Sequence, residues 1–314
     1  MTTVARLRAL VTVADAGSVR EAARRLTVTE SAVSAALSAL AREVRVPLVE
    51  RDGRGLRLTA SGQAYSVYAR AILGLHEEGL AAARGDRDPE RGRVRVAATT
   101  TAGEYLLPAV LASFLSHHPG VDLRLEVGSS ERLWAWFGAH EADLVIGGRP
   151  PGHIRDAIIC ATRPNVLVVV AAPAVAAGFG ISRTRWLQRE AGSGTRSTGE
   201  ALLGGLDADP PRLTLGSGGA VVACAAAGLG ATLVSRDAVS RQVRAGELAE
   251  VPVPGTPLRR PWHAVTHDRE PGATALLVRH LLDHEGWRRP AGARNRVTRL
   301  RTEPPAGTHP IRSG

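Results

Sequence analysis

The chain has 314 residues, 44% hydrophobic and 22% charged, which is length for about two domains and excludes wholesale disorder. Its formal net charge is +10, which suits a polyanionic partner, and every one of its 40 cationic residues is arginine. The stretch after Gly286 supplies six units of that charge: Arg288, Arg289, Arg294, Arg296, Arg299, Arg301 and Arg312 stand there against Glu303 alone, so charge by itself argues only weakly for the remainder. Two distant cysteines, Cys160 and Cys224, make no disulfide framework and read as reduced thiols. The opening MTTVARLRALVTVADAG has no hydrophobic signal core, and no run of 18 apolar residues occurs, so the expected location is the cytoplasm, with no membrane partner.

The first sixty residues predict three short helices and a hairpin. Val4, Leu7, Leu10, Val11 and Ala14 recur at helical spacing, and Gly17 suits a left-handed stop after that helix. Ser18 with Glu21 three residues on is a capping box for a second helix to about Leu26. Thr27 and Thr29 both suit the cap of a third, running to about Arg42. Pro47, Asp52-Gly53 and Gly55 signal a hairpin over Val46 to Leu58. From Ser61 to Arg84 no proline interrupts a narrow apolar stripe, which suggests a linker helix that pairs with its copy.

GDRDPERGR (85–93) is charged and broken by proline and glycine, and marks a domain boundary. Beyond it, strands at 94–98, 121–127, 142–148 and 165–172 alternate with helices, which predicts a mostly parallel α/β sheet. The apolar run NVLVVVAA (165–172) reads as a strand buried on both faces. The expected organisation is a winged helix-turn-helix at 1–60, a linker helix at 61–84, a hinge at 85–92 and a two-lobed α/β domain at 93–286. Lobe I takes about 93–162 and 266–286, lobe II about 163–265, and 287–314 is read as a basic, disordered tail.

The spaced residues Leu7, Leu10, Val13-Ala14, Gly17-Ser18, Ala22-Ala23, Leu26, Ala32-Val33-Ser34, Leu37 and Leu40 resemble the signature of the LysR-type transcriptional regulators. Leu48-Val49, Arg51, Arg54, Leu58-Thr59 and Gly62 continue it. The resemblance runs over about residues 3–285. It implies a winged helix-turn-helix joined to an effector domain similar to type 2 periplasmic binding proteins. It further implies a homodimer, or a dimer of dimers, on inverted-repeat double-stranded DNA. RNA polymerase is a further candidate partner.

Candidate DNA contacts are Ser18, the polar face of helix three (Thr29, Glu30, Ser31, Ser34, Ala35 and Ser38), and the hairpin arginines Arg51, Arg54 and Arg57. The family usually has Ser-Gln-Pro where this chain has Thr29-Glu30-Ser31, and a glycine where it has Arg45, which either strains that turn or changes it. A carboxylate at 30 repels phosphate but can accept from a cytosine amino group.

Three strand-to-helix junctions offer hydroxyls at helix starts, where free N–H groups hold anions. They are ATTTAGEYLLP (98–108) with Thr100 and Thr101, EVGSSE (126–131) with Ser129, and QREAGSGTR (188–196) with Ser193, Thr195 and Arg196. A carboxylate or phosphate effector follows, with ligand sites at strand carboxyl ends. ATTTAGEYLLP and REAGSGTR look most like the subgroup that includes regulators of carbon-fixation and sulfur-assimilation genes. Enzyme readings find little: there is no Walker loop and no Gly-x-Ser-x-Gly elbow, and His280 with His284 lacks a third ligand, so no cofactor, metal or catalytic residue is expected.

Overall fold

The computed structural model describes residues 3–52, 55–84, 88–154, 157–268, 272–284 and 286–290. The head is built from α1 (Val4–Ala16), α2 (Val19–Leu26) and α3 (Glu30–Val44), followed by the antiparallel hairpin of β1 (Val49–Asp52) and β2 (Gly55–Leu58). Local chemistry sets these bounds. The Ser18 side chain accepts from the Glu21 N–H and the Thr29 side chain from the Ala32 N–H, while Gly17 ends α1 at φ 67°. Leu10, Ala22, Val33, Leu40 and Leu48 are buried together; the two small alanines, Ala22 and Ala23, let helices approach where they cross. Arg45 ends α3 at φ 61°, so the turn keeps the left-handed conformation that glycine would adopt freely, at a cost of about 1 kcal/mol.

α4 (Ala60–Arg84) packs one side on α1, and Val67, Tyr68, Ile72 and Leu75 remain exposed along it. A 3-10 turn at Pro89–Arg91 leads into two sheets. The first lobe holds β3 (Arg93–Thr99), α5 (Leu107–His117), β4 (Asp122–Gly128), α6 (Ser130–Gly138), β5 (Leu144–Gly147) and β6 (Ile158–Arg163). The second holds β7 (Val166–Ala171), α7 (Pro173–Ala177), β8 (Trp186–Arg189), α8 (Gly194–Gly205), β9 (Arg212–Leu215), α9 (Gly218–Ala226), β10 (Ala231–Ser235), α10 (Arg236–Arg244), β11 (Ala249–Val251) and β12 (Leu258–Arg259). β13 (Trp262–Thr266) and α11 (Gly272–Asp283) then complete the first lobe. The sheet orders are β4-β3-β5-β13-β6 and β11-β7-β10-β8-β9, with β12 paired to β7.

Three expectations need correction. The sheets are mixed: β7 runs antiparallel to β10, β11 and β12, and β13 antiparallel to β5 and β6. Strands reached through a helical crossover, such as β4 from β3, are parallel as that connection requires. β7 and β13 are instead entered straight from the other lobe, so no such rule binds them. The return to lobe I comes before Trp262, ahead of the expected 266, because the whole of β13 pairs in the first sheet. The expected tail also starts too early: Trp287 is buried in the lobe I core and Arg288 bridges Thr162. Residues 291–314 lie outside those described.

Lobe I has a core on each face of its sheet, one under α5 and α11, the other under α6. In the second, His267 is stacked between Phe137 and His140 at centroid distances of 3.9 and 4.1 Å. Burial, then the neighbouring His140, pushes the His267 pKa down to about 4, against the opposing pull of Asp143. The unfolded chain therefore takes up a proton between about pH 6.5 and 4 that the folded chain refuses, so stability falls with pH across that window. His267→Phe keeps a ring in the stack and is expected to flatten this slope, read as the urea midpoint at pH 7 against pH 5. Arg45→Gly is expected to raise head stability by about 1 kcal/mol at either pH, read by the same denaturation.

Candidate DNA interface and effector cleft

In the head, Thr29, Glu30, Ser31, Ser34, Ala35 and Ser38 all lie exposed on α3, while Val33, Leu37 and Leu40 anchor its other side. Thr29 and Ser31 share a hydroxyl contact of 2.9 Å. Ser18 is half-buried as the α2 cap, its side chain accepting from the Glu21 N–H. Arg57 is exposed and paired with Glu50 at 2.7 Å, while Arg51, also exposed, takes part in none of the ion pairs found among the described residues. Arg54 lies outside the described residues.

The chain crosses between the lobes at 163–166 and again at 259–262, and Asn165 ties the crossings together. Its backbone oxygen accepts from the Arg260 N–H at 2.9 Å, its Nδ2 donates to the Arg260 oxygen at 2.9 Å, and its Oδ1 accepts from Ser235 at 2.7 Å. Over this hinge opens a narrow cleft between the lobes. The structure brings Thr100, Thr101, Ser129, Ser193 and Thr195 to its walls. Ser129 caps α6 from lobe I and Ser193 caps α8 from lobe II, so two helix N-termini converge on one space. Thr100 also accepts across the cleft from Arg189 at 3.2 Å.

Arg196 is turned elsewhere. Its Nε donates to Glu200 at 2.8 Å and its Nη1 to the Arg189 oxygen at 3.3 Å, beside a smaller cavity of about 210 Å³ under α8. Two other arginines face the cleft instead. Arg189 is nearly buried and forms a two-pronged pair with Glu190, both contacts 2.8 Å. Burial raises the Glu190 carboxyl, but the Arg189 hydrogen bond, a backbone hydrogen bond and the charges of Arg189 and Arg196 together outweigh it and hold the group below its ordinary value.

Arg260 is different in kind. Its guanidinium lies against Gly148 and Gly194, where a Cβ on Gly194 would stand 2.6 Å from Nη2 and 2.6 Å from the Ser130 hydroxyl. Burial pulls its pKa down, no carboxylate pairs with it among the described residues, and an arginine stays charged regardless. Even partial burial of a cation without a partner is costly, and an anion in the cleft would offset that cost. Sequence reasoning missed Arg260, Arg189 and Ser130. Ser130 had a local signal, beside Ser129 at a helix start. Arg260 had none, because only the second lobe crossing carries it to the cleft.

Residues 4–63 match the family described as bacterial regulatory helix-turn-helix protein, lysR family, and residues 87–286 match the LysR substrate binding domain. The HTH-type transcriptional regulator CfxR of Cupriavidus necator is 35% identical over 295 residues, covering 90% of this chain and 92% of that protein. The RuBisCO operon transcriptional regulator of Acidithiobacillus ferrooxidans is 34% identical over 274 residues, 84% and 87% of the two chains. Among solved structures, full-length CbnR complexed with its target DNA superposes with a TM-score of 0.61 at 22% identity, over 88% of this chain and 98% of that one. The CcmR regulatory domain of Synechocystis PCC6803 in complex with 2-PG gives 0.54 at 28% identity, over 60% and 96%. This chain therefore belongs to the LysR family: it is a DNA-binding transcriptional regulator with a helix-turn-helix head and a substrate-binding domain of two lobes.

Proposed function

We propose that this regulator reads an inverted-repeat operator as a dimer, through α3 and the β1–β2 hairpin, and that a small anion in the interlobe cleft modulates that binding. The half-buried guanidinium of Arg260, with no carboxylate paired to it among the described residues, carries the second half of the reading. A carboxylate or phosphate there would meet Arg260 at the hinge, Ser129 and Ser130 at the α6 start, and Ser193 and Thr195 at the α8 start. The 2-PG held by the related CcmR domain supports an effector of this class. The cleft offers a cation, hydroxyls and helix N-termini, which are binding groups, and that fits a sensor better than a catalyst. A DNA-reading head fits a cytoplasmic location. The exposed apolar stripe of α4 supports pairing with a second copy, and a dimer of dimers would place four heads on the operator.

Calorimetry with a panel of small carboxylates and phosphates, 2-PG among them, tests the cleft. We expect at least one to bind and to shift operator affinity. Arg260→Ala should weaken that binding at least tenfold, since a charge-assisted hydrogen bond contributes about 1.5–3 kcal/mol. Arg196→Ala should leave it within about twofold. No binding across the panel, or equal binding by Arg260→Ala, would overturn the reading.

The head makes its own prediction. Glu30 sits in the first turn of α3, where its charge favours the helix by about 0.3–1 kcal/mol but repels phosphate. Glu30→Gln is expected to lower thermal stability slightly and to tighten binding to nonspecific DNA, measured by anisotropy at two salt concentrations. Arg51→Ala should weaken binding to all sequences alike and reduce the salt slope by about one for each phosphate that the head no longer neutralises.

A further inference from the structure

One stretch of the linker helix touches both the head and lobe I. The Arg70 guanidinium reaches Asp15 at the end of α1, with Nη1 to Oδ2 at 3.2 Å and a second contact from Nη2 to Oδ1. The same Nη1 donates to Glu141 of lobe I at 3.2 Å. One turn further on, Gly74 lies so close to lobe I that a Cβ there would stand 2.7 Å from the Ala139 oxygen and 2.6 Å from the His140 Cβ. Arg70 itself is partly buried, while its two carboxylate partners are more open. Burial acts to lower the Arg70 pKa, and the two carboxylates more than reverse it, holding the group above its ordinary value.

The segment that meets the linker, 139–141, is the turn that directly follows the C-terminus of α6. The other end of α6 is its Ser129 cap, on the cleft. The helix spans about 13 Å at 1.5 Å per residue, and it is firmly seated by the buried Leu133 and Phe137. Its far end is also gripped from within the lobe. Arg95 donates to the His140 oxygen at 2.8 Å and to Asp143 at 3.1 Å, and His140 stacks on His267. So the 139–143 segment is held by one arginine from lobe I and one from the linker helix.

We infer that Arg70 is the positioning residue that keeps the reading head and lobe I in one register, and that α6 carries the state of the cleft to that junction. The cleft end of this route rests on the effector reading above; the Arg70 junction does not. Coupling between two sites is reciprocal, so DNA held by the head must be felt at α6 even with no effector present.

Hydrogen exchange of the full-length chain, with and without a DNA fragment from upstream of its own coding region that it footprints, tests this. In the unmodified protein we expect DNA to change exchange across 133–141 by at least fivefold. Arg70→Met and Glu141→Gln should abolish that change while footprint and melting temperature persist, and Arg70→Lys should restore part of it. Gly74→Val, which forces the helix off lobe I without touching any charge, should abolish it too. A merely structural role would loosen 133–141 in free and bound protein alike and leave the DNA-induced difference intact. That result, or no difference in the unmodified protein, would overturn the inference. Failure of every anion to bind the cleft would not affect this outcome, so the two readings fail separately.

Discussion

The two crossings at Asn165 and Arg260 are the constraint on which the molecule depends. Because the chain leaves lobe I at β6 and returns at β13, lobe I is built from two separate stretches and lobe II is inserted between them on a two-stranded hinge, tied by backbone bonds and by the buried Asn165 amide. That arrangement orders the rest. It makes β7 and β13 antiparallel to their neighbours, faces the α6 and α8 N-termini across one gap, and delivers Arg260 to the floor of that gap. A cation fixed at a hinge is well placed to bias it, since any anion it binds must be completed by groups on the lobes to either side.

What the sequence made legible was local. The capping box at Ser18 and Glu21, the Thr29 cap and the spacing of Leu7, Leu10 and Val33 each depend on neighbours within a turn or two, and each element forms where those signals fall. Thr100, Ser129 and Ser193 were also readable, since a hydroxyl at a helix start is a local feature. Strand direction was not. The run Val166–Ala171 is buried as its composition requires, yet burial says nothing of which way a neighbour runs. Arg196 shows the competition: it stands at a helix start on the cleft, but Glu200 one turn on offers a nearer anion, and the local pair prevails. Arg260 reaches the cleft through tertiary geometry alone.

The head departs from its family at two positions, and both departures have a structural side. Glu30 suits the positive end of α3, while under the proposed reading it would oppose DNA phosphates near that end. Arg45 holds a left-handed turn that its side chain disfavours, so the turn survives because α3 and the hairpin on either side over-determine it. Fold and reading surface make opposite demands at position 30, and the fold's demand is the one this residue meets.

The absence of lysine bears on how these parts are joined. A guanidinium presents several donors in a fixed plane, so one arginine can serve two acceptors that come from different parts of the chain, where an ammonium is a single point charge. Arg70 bridges Asp15 and Glu141, and Arg95 bridges His140 and Asp143. Arg189 grips Glu190 with two nitrogens while touching Thr100 across the cleft. Arg70 ties the linker to head and lobe I, and Arg189 reaches across from lobe to lobe, while Arg95 braces lobe I from within. Whatever selected arginine throughout the chain, its consequence here is mechanical: the contacts between moving parts are forked, and a fork resists the small rotations that a single charge pair would tolerate.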